Sequence, residues 1–259
     1  MSRFRIDRRA ALSAGAAGLA GLMLSGCDSA VRSPAARRFF RSAESLSLAM
    51  QRALLSGQRM AREFSAADIS PTFRTNGSVN PQNPDYTVLR DAHFSTYRLV
   101  VDGLVGSPQS LSLAQLMLIP SRSQITRHDC VEGWSAIGKW TGAPLHSVLA
   151  RANILNTARF IVFECFDLKP VAGGTTPYYE SIDLIDAFHP QTILAYAMND
   201  MPLEVGHGAP LRLRVERQLG YKQAKYIKRI SAVASLAGVF GGNGGYWEDT
   251  TGYEWYAGI

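Results

Sequence analysis

A single cysteine in a polar, basic stretch is the residue of this chain best suited to chemistry. Cys130 lies in residues 127–135, which read Arg-His-Asp-Cys-Val-Glu-Gly-Trp-Ser. A thiolate, rather than a thiol, binds soft metals, and a cationic neighbour such as Arg127 is expected to stabilise it. The sequence therefore makes Cys130 a candidate metal ligand. Taken alone, such a cysteine also fits a purely structural role.

Two basic, glycine-containing segments further along the chain form a second group of candidates. Residues 207–212 read His-Gly-Ala-Pro-Leu-Arg, and residues 220–226 read Gly-Tyr-Lys-Gln-Ala-Lys-Tyr. A phosphate-bearing ligand requires a planar guanidinium, lysines, and backbone groups that glycine brings close. Arg212, Lys222 and Lys225 are therefore predicted to converge on one anion. The alternative is a solvated strand face followed by basic loop residues.

These segments resemble a known family. Residues 127–145, RHDCVEGWSAIGKWTGAPL, closely resemble the cysteine segment of the sulfite-oxidase-like molybdopterin oxidoreductases, and HGAPLRL and GYKQAKYI resemble the cofactor-binding segments of that family. The resemblance covers residues 71–259 and implies an α+β fold, an irregular mixed-sheet domain around a buried pterin. It implies molybdenum–molybdopterin as the cofactor. Cys130 would then be the catalytic residue and the thiolate ligand of the metal.

The resemblance also implies a set of cofactor-binding residues. These are His207, Arg212, Gln223, Ala224 and Lys225, together with Asn76 from the upstream segment 73–76. Cys165 stands about where related enzymes place a threonine or a similar small residue near the metal. This departure leaves two roles open for Cys165, a hydrogen-bonding neighbour of the cofactor or a small buried hydrophobe.

The function implied by the resemblance is oxygen-atom transfer on a small oxyanion or a sulfoxide. The chain has no Cys-x-x-Cys-His haem attachment motif. We therefore expect electron exchange with a separate cytochrome or membrane haem protein. The chain offers no room after Ile259 for the roughly 100-residue immunoglobulin-like dimerisation domain of the animal sulfite oxidases, so a monomer is expected.

Two alternatives to a molybdenum enzyme belong to other classes. In an oxidising compartment Cys130 and Cys165 can form a disulfide, which would fit a non-catalytic binding lipoprotein of the same fold. A zinc site would use Cys130, His128 and a further histidine. The five histidines of the chain show no paired metal-ligand spacing, which makes the zinc site the weaker alternative.

The first 26 residues are predicted to be an export signal. Arg8 and Arg9 resemble a twin-arginine signal, and the apolar run at 10–24 is shorter than the roughly 20 residues that span a bilayer. Residues 24–27, Leu-Ser-Gly-Cys, resemble a lipobox with lipidation at Cys27, and Asp28 resembles an inner-membrane sorting signal. We therefore expect a periplasmic protein anchored to the inner membrane. The alternative is an ordinary signal peptide with an incidental cysteine.

The charge of the chain does not point to a nucleic-acid partner. The formal net charge is +6, and it falls to +3 without residues 1–26, with 23 basic against 20 acidic side chains. With a balance this close to even, the high pI says little about nucleic acid, and no nucleic-acid partner is expected. After the signal we expect a tether at 27–42, an N-terminal helical segment at 43–69 and an oxidoreductase domain at 70–259.

The elements that must position these residues follow from periodicity and turn signals. Helices are predicted at 43–64, at 144–152, at 181–188 and after a capping box at Ser112 and Gln115; strands are predicted at 97–101, 158–166, 192–198 and 211–216; and an irregular loop is predicted at 70–91. The mixture lacks regular strand–helix alternation, which indicates an α+β domain. The aromatic C-terminal segment 246–256 is predicted to serve packing rather than substrate contact.

Overall fold

The computed structural model describes residues 59–259 and, before them, Leu46, Ala49 and Met50. The chain divides into two units, Met1–Leu54 and Leu55–Ile259. In the first unit the three described residues are helical. The predicted export signal and the tether with Cys27 lie outside the described residues. In the described part of the chain, no helix is long and apolar enough to cross a membrane.

The second unit mixes strands with short helices. Its strands are β1 (Arg98–Gly103), β2 (Gln109–Ser112), β3 (Arg122–Asp129), β4 (Ser135–Pro144), β5 (Phe160–Val171), β6 (Gly174–Asp183), β7 (Ile193–Met198), β8 (Met201–Pro202), β9 (Arg212–Arg214) and β10 (Ile227–Val233). Its α-helices are α1 (Pro84–Asp91), α2 (Leu113–Met117), α3 (Leu145–Ala152), α4 (Leu184–Ala187) and α5 (Tyr246–Thr250). Short 3-10 helices cover Ala66–Asp68, Val205–His207 and Gly220–Lys222.

Two sheets organise the unit. The first has the strand order β2-β1-β10-β5-β6, in which β1 and β10 are parallel and the other neighbours are antiparallel. The second has the order β3-β4-β7-β8, with β9 also paired to β7, and its ladders are antiparallel. Mixed sheets with few helices confirm the predicted α+β class.

The main hydrophobic core joins the first sheet to α3 and to β9. Leu99, Phe163 and Ile230 contribute from the sheet, Leu149 from α3 and Leu213 from β9, and all five are fully buried. A smaller cluster around Trp140 and Ile193 lies on the second sheet. Because β9 borders the main core, the arginines that alternate with its apolar residues are held away from bulk water.

Local signals predicted several elements correctly. Ser112 Oγ accepts a hydrogen bond from the Gln115 amide at 3.1 Å, and Gln115 Oε1 accepts one from the Ser112 amide at 2.9 Å. This confirms the capping box at the start of α2. Helix α3 and strand β7 match their predicted ranges within one residue, and β1 lies within two residues of the predicted strand. β5 begins near the predicted residue but continues to Val171.

The helix predicted at 43–64 is wrong over its last residues. Residues 59–64 are not helical, and Glu63 forms an antiparallel bridge with Thr126. The Phe64 amide donates to the Ile125 carbonyl at 2.9 Å. The backbone groups of this segment are satisfied by pairing with the edge strand β3. The helical spacing of apolar side chains carries no information about this long-range pairing.

The loop predicted at 70–91 contains helix α1. The Asn83 side chain caps this helix, because its Oδ1 accepts from the amides of Asp85 and Tyr86 at 2.9 and 3.3 Å. Pro84 occupies the first helical position, where its missing N–H costs nothing. The dense proline and asparagine signal therefore marks a helix start as well as a loop.

The helix predicted at 181–188 is wrong over its first three residues and correct at Leu184–Ala187. Residues 181–183 end strand β6, where Ser181 pairs with Val162 and Ile182 with Ile161 of β5. The helix covers only Leu184–Ala187 and is capped by Asp183, whose Oδ1 accepts from the Asp186 amide at 2.8 Å. The strand predicted at 211–216 is shorter in the structure, at Arg212–Arg214.

Candidate functional site

A cleft of about 180 Å³ opens beside Cys130. We call it the Cys130 cleft. Its lining comes from five parts of the chain: Asn76, Gly77 and Ser78; Cys130, Val131 and Glu132; Asp167, Lys169 and Tyr178 of β5 and β6; Gly220, Tyr221, Gln223 and Lys225; and Trp247 and Tyr253. Four predicted site residues, Asn76, Cys130, Gln223 and Lys225, therefore meet in one cavity, although they are far apart in sequence.

Cys130 directly follows β3 and begins a tight turn. Its amide donates to the Trp134 carbonyl at 2.9 Å, and its carbonyl accepts from the Gly133 amide at 3.0 Å. Gly133 has a φ of 85°, a left-handed conformation that glycine adopts without strain. The turn leaves the Cys130 thiol half-buried at the cleft.

The expected effect of Arg127 on this thiol is not observed. Burial raises the pKa of Cys130, and the nearby backbone N–H groups of Glu132 and Val131 oppose the rise. Arg127 instead donates to Asp129 Oδ2 at 2.9 Å and is largely exposed. Because binding to a metal deprotonates a coordinating thiol outright, Cys130 can serve as a ligand without a cationic neighbour.

Arg212 on β9 is a buried cation that has no counter-ion in the described part of the chain. Its Nη1 donates to the His207 carbonyl at 2.9 Å, whereas Nε and Nη2 have no hydrogen-bond partner within residues 59–259. Among the described residues, no carboxylate lies within ion-pair distance of its guanidinium. Burial, followed by the nearby charge of Arg214, lowers the pKa of Arg212 to about 9. A side chain with 0% exposure rules out the solvated strand face.

The next arginine of the same strand provides the contrast. Arg214 is equally buried, but its Nε donates to Glu216 Oε1 at 2.9 Å. Both guanidinium carbons lie over the ring of Trp140, at 4.8 Å for Arg212 and 4.4 Å for Arg214. Arg214 is thus satisfied by the protein, and Arg212 still requires an anionic partner.

His207 ends a 3-10 helix beside Arg212. Its Nδ1 is buried and has no hydrogen-bond partner among the residues that the structure describes. Burial, and then the charge of Arg212, lowers the pKa of His207. The following residue, Gly208, has a φ of 111°. A Cβ there would lie 2.9 Å from Lys225 Cβ and 3.2 Å from Arg212 Cβ. Glycine therefore lets the 207–212 segment approach Lys225 closely. His207 and Arg212 do not line the Cys130 cleft.

Lys225 ties the upstream segment to this region. Its Nζ donates to the carbonyls of Asn76, Ser78 and Gly206 at 2.7, 2.6 and 2.9 Å. These bonds use all three ammonium hydrogens, and burial, then the charge of Arg212, lowers the pKa of Lys225 to about 7. Lys225 therefore acts on a ligand through its charge and by holding Asn76 at the cleft.

Gln223 and Ala224 differ in their access to the cleft. Gln223 lines it, and its Nε2 donates to the Gln218 carbonyl at 3.2 Å. Ala224 is buried in the core, and its carbonyl accepts from the Leu213 amide at 2.8 Å. Backbone pairing with β9 thereby fixes the register between the two basic segments.

Lys222 does not converge with Arg212, contrary to the prediction. Its ammonium lies between the carboxylates of Glu180 and Glu248, with Nζ 2.7 Å from Glu248 Oε1. The three charged groups are buried. Burial raises the pKa of Glu180 well above its usual range, although Lys222 opposes the rise. This buried triad links the 220–222 turn to α5, and residues of both segments line the cleft.

Cys165 lies in the hydrophobic core, away from the cleft lining. It is 1% exposed on β5, and burial raises its pKa well above the usual range. This environment matches the small buried hydrophobe rather than the neighbour of the cofactor. Cys130 and Cys165 are both free thiols, so the structure does not contain the disulfide of the alternative hypothesis.

The zinc alternative also lacks a ligand set. Among the described residues, no group of three His, Cys, Asp or Glu side chains is arranged to hold a metal ion. His128 is fully buried, with Nδ1 3.1 Å from Arg214 Nη1 and Nε2 without a partner. Burial, then Arg214, lowers its pKa well below the usual value.

Several lining residues were missed by the sequence analysis. Glu132 belongs to the Cys130 motif, and its position two residues after the cysteine was a usable signal. Trp247 and Tyr253 come from the C-terminal aromatic segment, which was predicted to serve packing alone. Asp167, Lys169 and Tyr178 lie on β5 and β6 and carried no recognisable sequence signal.

Comparisons with known proteins agree with the resemblance of these motifs. The chain is 39% identical over 170 residues to the putative protein-methionine-sulfoxide reductase subunit YedZ1 of Azospira oryzae, which covers 66% of this chain and 59% of that protein. It is 32% identical over 189 residues to the protein-methionine-sulfoxide reductase catalytic subunit MsrP of Xanthomonas axonopodis pv. citri. This alignment covers 70% of this chain and 59% of that protein. The chain thus spans 59% of the length of these curated relatives.

A solved structure and a family model complete the comparison. The sulfane dehydrogenase SoxCD from Paracoccus pantotrophus is 20% identical, with a TM-score of 0.49 over 61% of this chain and 41% of that one. The model of the oxidoreductase molybdopterin binding domain matches residues 86–237, more than half of the chain. The match includes Cys130 and the 207–226 segments and leaves Asn76 outside. The chain belongs to the family of molybdopterin-binding oxidoreductase domains.

Proposed function

We propose that this protein is a molybdenum–molybdopterin oxidoreductase that reduces sulfoxides by oxygen-atom transfer. The observation that carries the proposal is the buried guanidinium of Arg212, which has two unpartnered nitrogens and no carboxylate at ion-pair distance among the described residues. Leaving such a group unpaired costs about 1–3 kcal/mol or more. An anionic ligand that donates no proton of its own is the partner this guanidinium requires.

The residues present fit a cofactor that carries a phosphate and a metal. Cys130 offers a thiol at the cleft, and Arg212 with Lys225 supplies buried positive charge. Molybdenum–molybdopterin, when bound, supplies two-electron oxygen-atom transfer. Cys130 would be the thiolate ligand, Arg212 and His207 would hold the pterin or its phosphate, and Gln223 and Asn76 would offer polar groups at the cleft.

The sulfoxide is favoured over a small oxyanion by the relatives, which are named as methionine-sulfoxide reductase subunits. Reduction of a sulfoxide consumes two electrons and two protons and releases a thioether and water. The cleft residues bind and orient the substrate, and the aromatic side chains that line the cleft exclude water from it. We propose that the electrons come from a separate cytochrome or membrane haem protein and that the chain acts as a monomer.

Cofactor retention tests the role of Arg212. Arg212→Ala is expected to lower molybdenum and pterin occupancy, because a charge-assisted contact of about 1.5–3 kcal/mol is lost, or roughly ten- to hundredfold in affinity. Metal analysis and pterin fluorescence after oxidation measure the occupancy of purified protein. Arg229→Ala is the matched control, since Arg229 pairs with Asp102 on the surface and is half exposed. Equal occupancy in wild type and both variants would contradict the proposal.

We also propose that the protein works in the periplasm, exported by the twin-arginine route and anchored to the inner membrane through lipidated Cys27. The support is the sequence of residues 8–28 alone, which lies outside the described residues. A membrane haem protein that supplies the electrons would lie in the same inner membrane.

Cys27→Ala is expected to release active enzyme into the soluble periplasm, because several acyl chains together hold a domain firmly to a bilayer and the variant carries none. Cell fractionation with an activity assay measures the release. Arg8→Lys combined with Arg9→Lys should instead retain the protein in the cytoplasm. Wild-type protein found wholly in the soluble periplasm with an unmodified N-terminus would refute the anchor and leave export standing.

A further inference from the structure

One part of the Cys130 cleft is formed by an aromatic wall, which we define as Tyr221, Trp247 and Tyr253. The Trp247 and Tyr253 rings are stacked, with centroids 5.9 Å apart and an interplanar angle of 27°. Tyr221 packs edge-on against Tyr253 at 5.1 Å. The three rings therefore form a continuous apolar surface within the cleft that contains Cys130.

The backbone holds this wall in place. The amides of Thr251 and Tyr253 donate to the Trp247 carbonyl at 2.9 and 3.3 Å. The Tyr221 hydroxyl donates to the Glu254 carbonyl at 2.6 Å, which fastens the C-terminal segment to the 220–222 turn. Tyr253 is nevertheless 39% exposed and Trp247 is only partly buried. Packing leaves part of these rings uncovered, and an apolar ligand in the cleft could cover the faces that remain open.

The charged groups of the cleft leave little for a small oxyanion to bind. Lys169 is neutralised by Asp167 at 3.2 Å and also donates to Ser78. Lys225 gives its three hydrogens to backbone carbonyls. Glu132, two residues after Cys130, is an exposed residue of the lining whose carboxylate accepts only from Trp134 Nε1, at 2.9 Å, among the described residues. Recognition of an oxyanion needs free cationic donors, and a carboxylate in the lining repels anions.

We propose that Trp247 and Tyr253 are the specificity-determining residues of this cleft. They select neutral sulfoxides that carry an apolar or aromatic substituent and leave small oxyanions such as sulfite as poor substrates. The inference rests on the proposed sulfoxide reduction, and it assigns the discrimination to two side chains that lie outside the cofactor-binding motifs.

The test uses the full-length holoenzyme with reduced viologen and two substrates, methyl p-tolyl sulfoxide and dimethyl sulfoxide. Trp247→Ala and Tyr253→Ala should each lower kcat/KM for the aryl sulfoxide about 10- to 100-fold, the range for loss of a hydrophobic pocket contact. The value for dimethyl sulfoxide should change little. Trp247→Phe should retain most of the aryl activity. Phe188→Ala, which truncates an exposed aromatic outside the cleft lining, should match wild type.

Calorimetric titration of the oxidised holoenzyme with the aryl sulfoxide gives a readout independent of turnover, and Kd should rise by a similar factor in Trp247→Ala. Equal losses on both substrates, unchanged Kd, or a wild type that prefers sulfite with ferricyanide would each overturn the inference. A wild type whose Kd for the aryl sulfoxide depends on Trp247 but which reduces no sulfoxide would refute the proposed function and leave only the recognition of the aryl group by Trp247. If the wild type reduces both sulfoxides and kcat/KM is unchanged in Trp247→Ala and Tyr253→Ala, the inference is refuted and the proposed function stands.

Discussion

Cys130→Ser is expected to abolish oxidoreductase activity while the fold survives. Serine replaces a soft thiolate with a hydroxyl that is poorly ionised and a poor ligand for a soft metal site. Changes to groups that merely orient a metal ligand cost roughly 10–100-fold, so loss of the ligand itself should cost more than about 100-fold. The pterin should remain partly bound, because Arg212 and Lys225 are unchanged. Activity with reduced viologen and the molybdenum-to-pterin ratio measure the two effects.

Cys165→Ala is the matched cysteine control for this experiment. The Cys165 thiol is buried among core side chains and does not line the Cys130 cleft. We therefore expect Cys165→Ala to keep its molybdenum and its activity. Full activity in Cys130→Ser would show that Cys130 is not the ligand, and loss of molybdenum in Cys165→Ala alone would move the metal site to β5.

Among the variants proposed for this protein, Lys222→Met is expected to cause the largest loss in the free energy of unfolding. The substitution leaves Glu180 and Glu248 buried and facing each other without the cation that now lies between them. Removing one partner of a buried ion pair costs about 3–5 kcal/mol, which corresponds to roughly 6–20 °C in Tm for a unit of this size. Thermal unfolding followed by circular dichroism measures the change. Lys228→Met, which alters an exposed lysine on β10, should stay within about 0.5 kcal/mol of wild type.

The loss in Lys222→Met should depend on pH. Burial already raises the pKa of Glu180 in the folded protein, and Lys222 is the largest influence opposing that rise. A carboxyl group with a raised folded pKa stabilises the protein below its unfolded pKa, and this stabilisation is lost as the pH rises through the folded value. The Tm deficit should therefore be smaller at pH 5 than at pH 8. Adding Glu180→Gln should recover part of it, and an equal Tm for wild type and variant at both pH values would contradict the role of the triad.

The sequence by itself determined the features that depend on neighbouring residues. The Cys130 motif lies within residues 127–135, the capping box of α2 lies within four residues, and helix α3 follows from its own apolar period. The same local specificity made the family recognisable, because residues 127–145 and 207–226 carry its motifs in continuous stretches. Such signals survive without tertiary information because their partners lie within a few positions along the chain.

Only the tertiary structure decided which charged groups are satisfied. Arg212 and Arg214 lie two residues apart on one strand, between apolar neighbours. Glu216 neutralises Arg214, and Arg212 stays available to a ligand. Lys222 has the same local setting as Lys225, but Glu180, 42 positions away, gives it a structural role. Residue type and spacing cannot distinguish these outcomes, since the free energy of a buried charge depends on which group the fold places beside it.

The same limit explains the errors at 59–64 and 181–183 and the missed aromatic wall. Pairing with β3 at Glu63 and with β5 at residues 181–183 kept the two segments out of a helix, because leaving backbone groups unpaired costs more free energy than the helical periodicity contributes. Trp247 and Tyr253 became cleft residues only when the C-terminal segment closed against Tyr221. An aromatic run in sequence has the same composition whether it fills a core or lines a cavity, and only the fold decides which faces stay open.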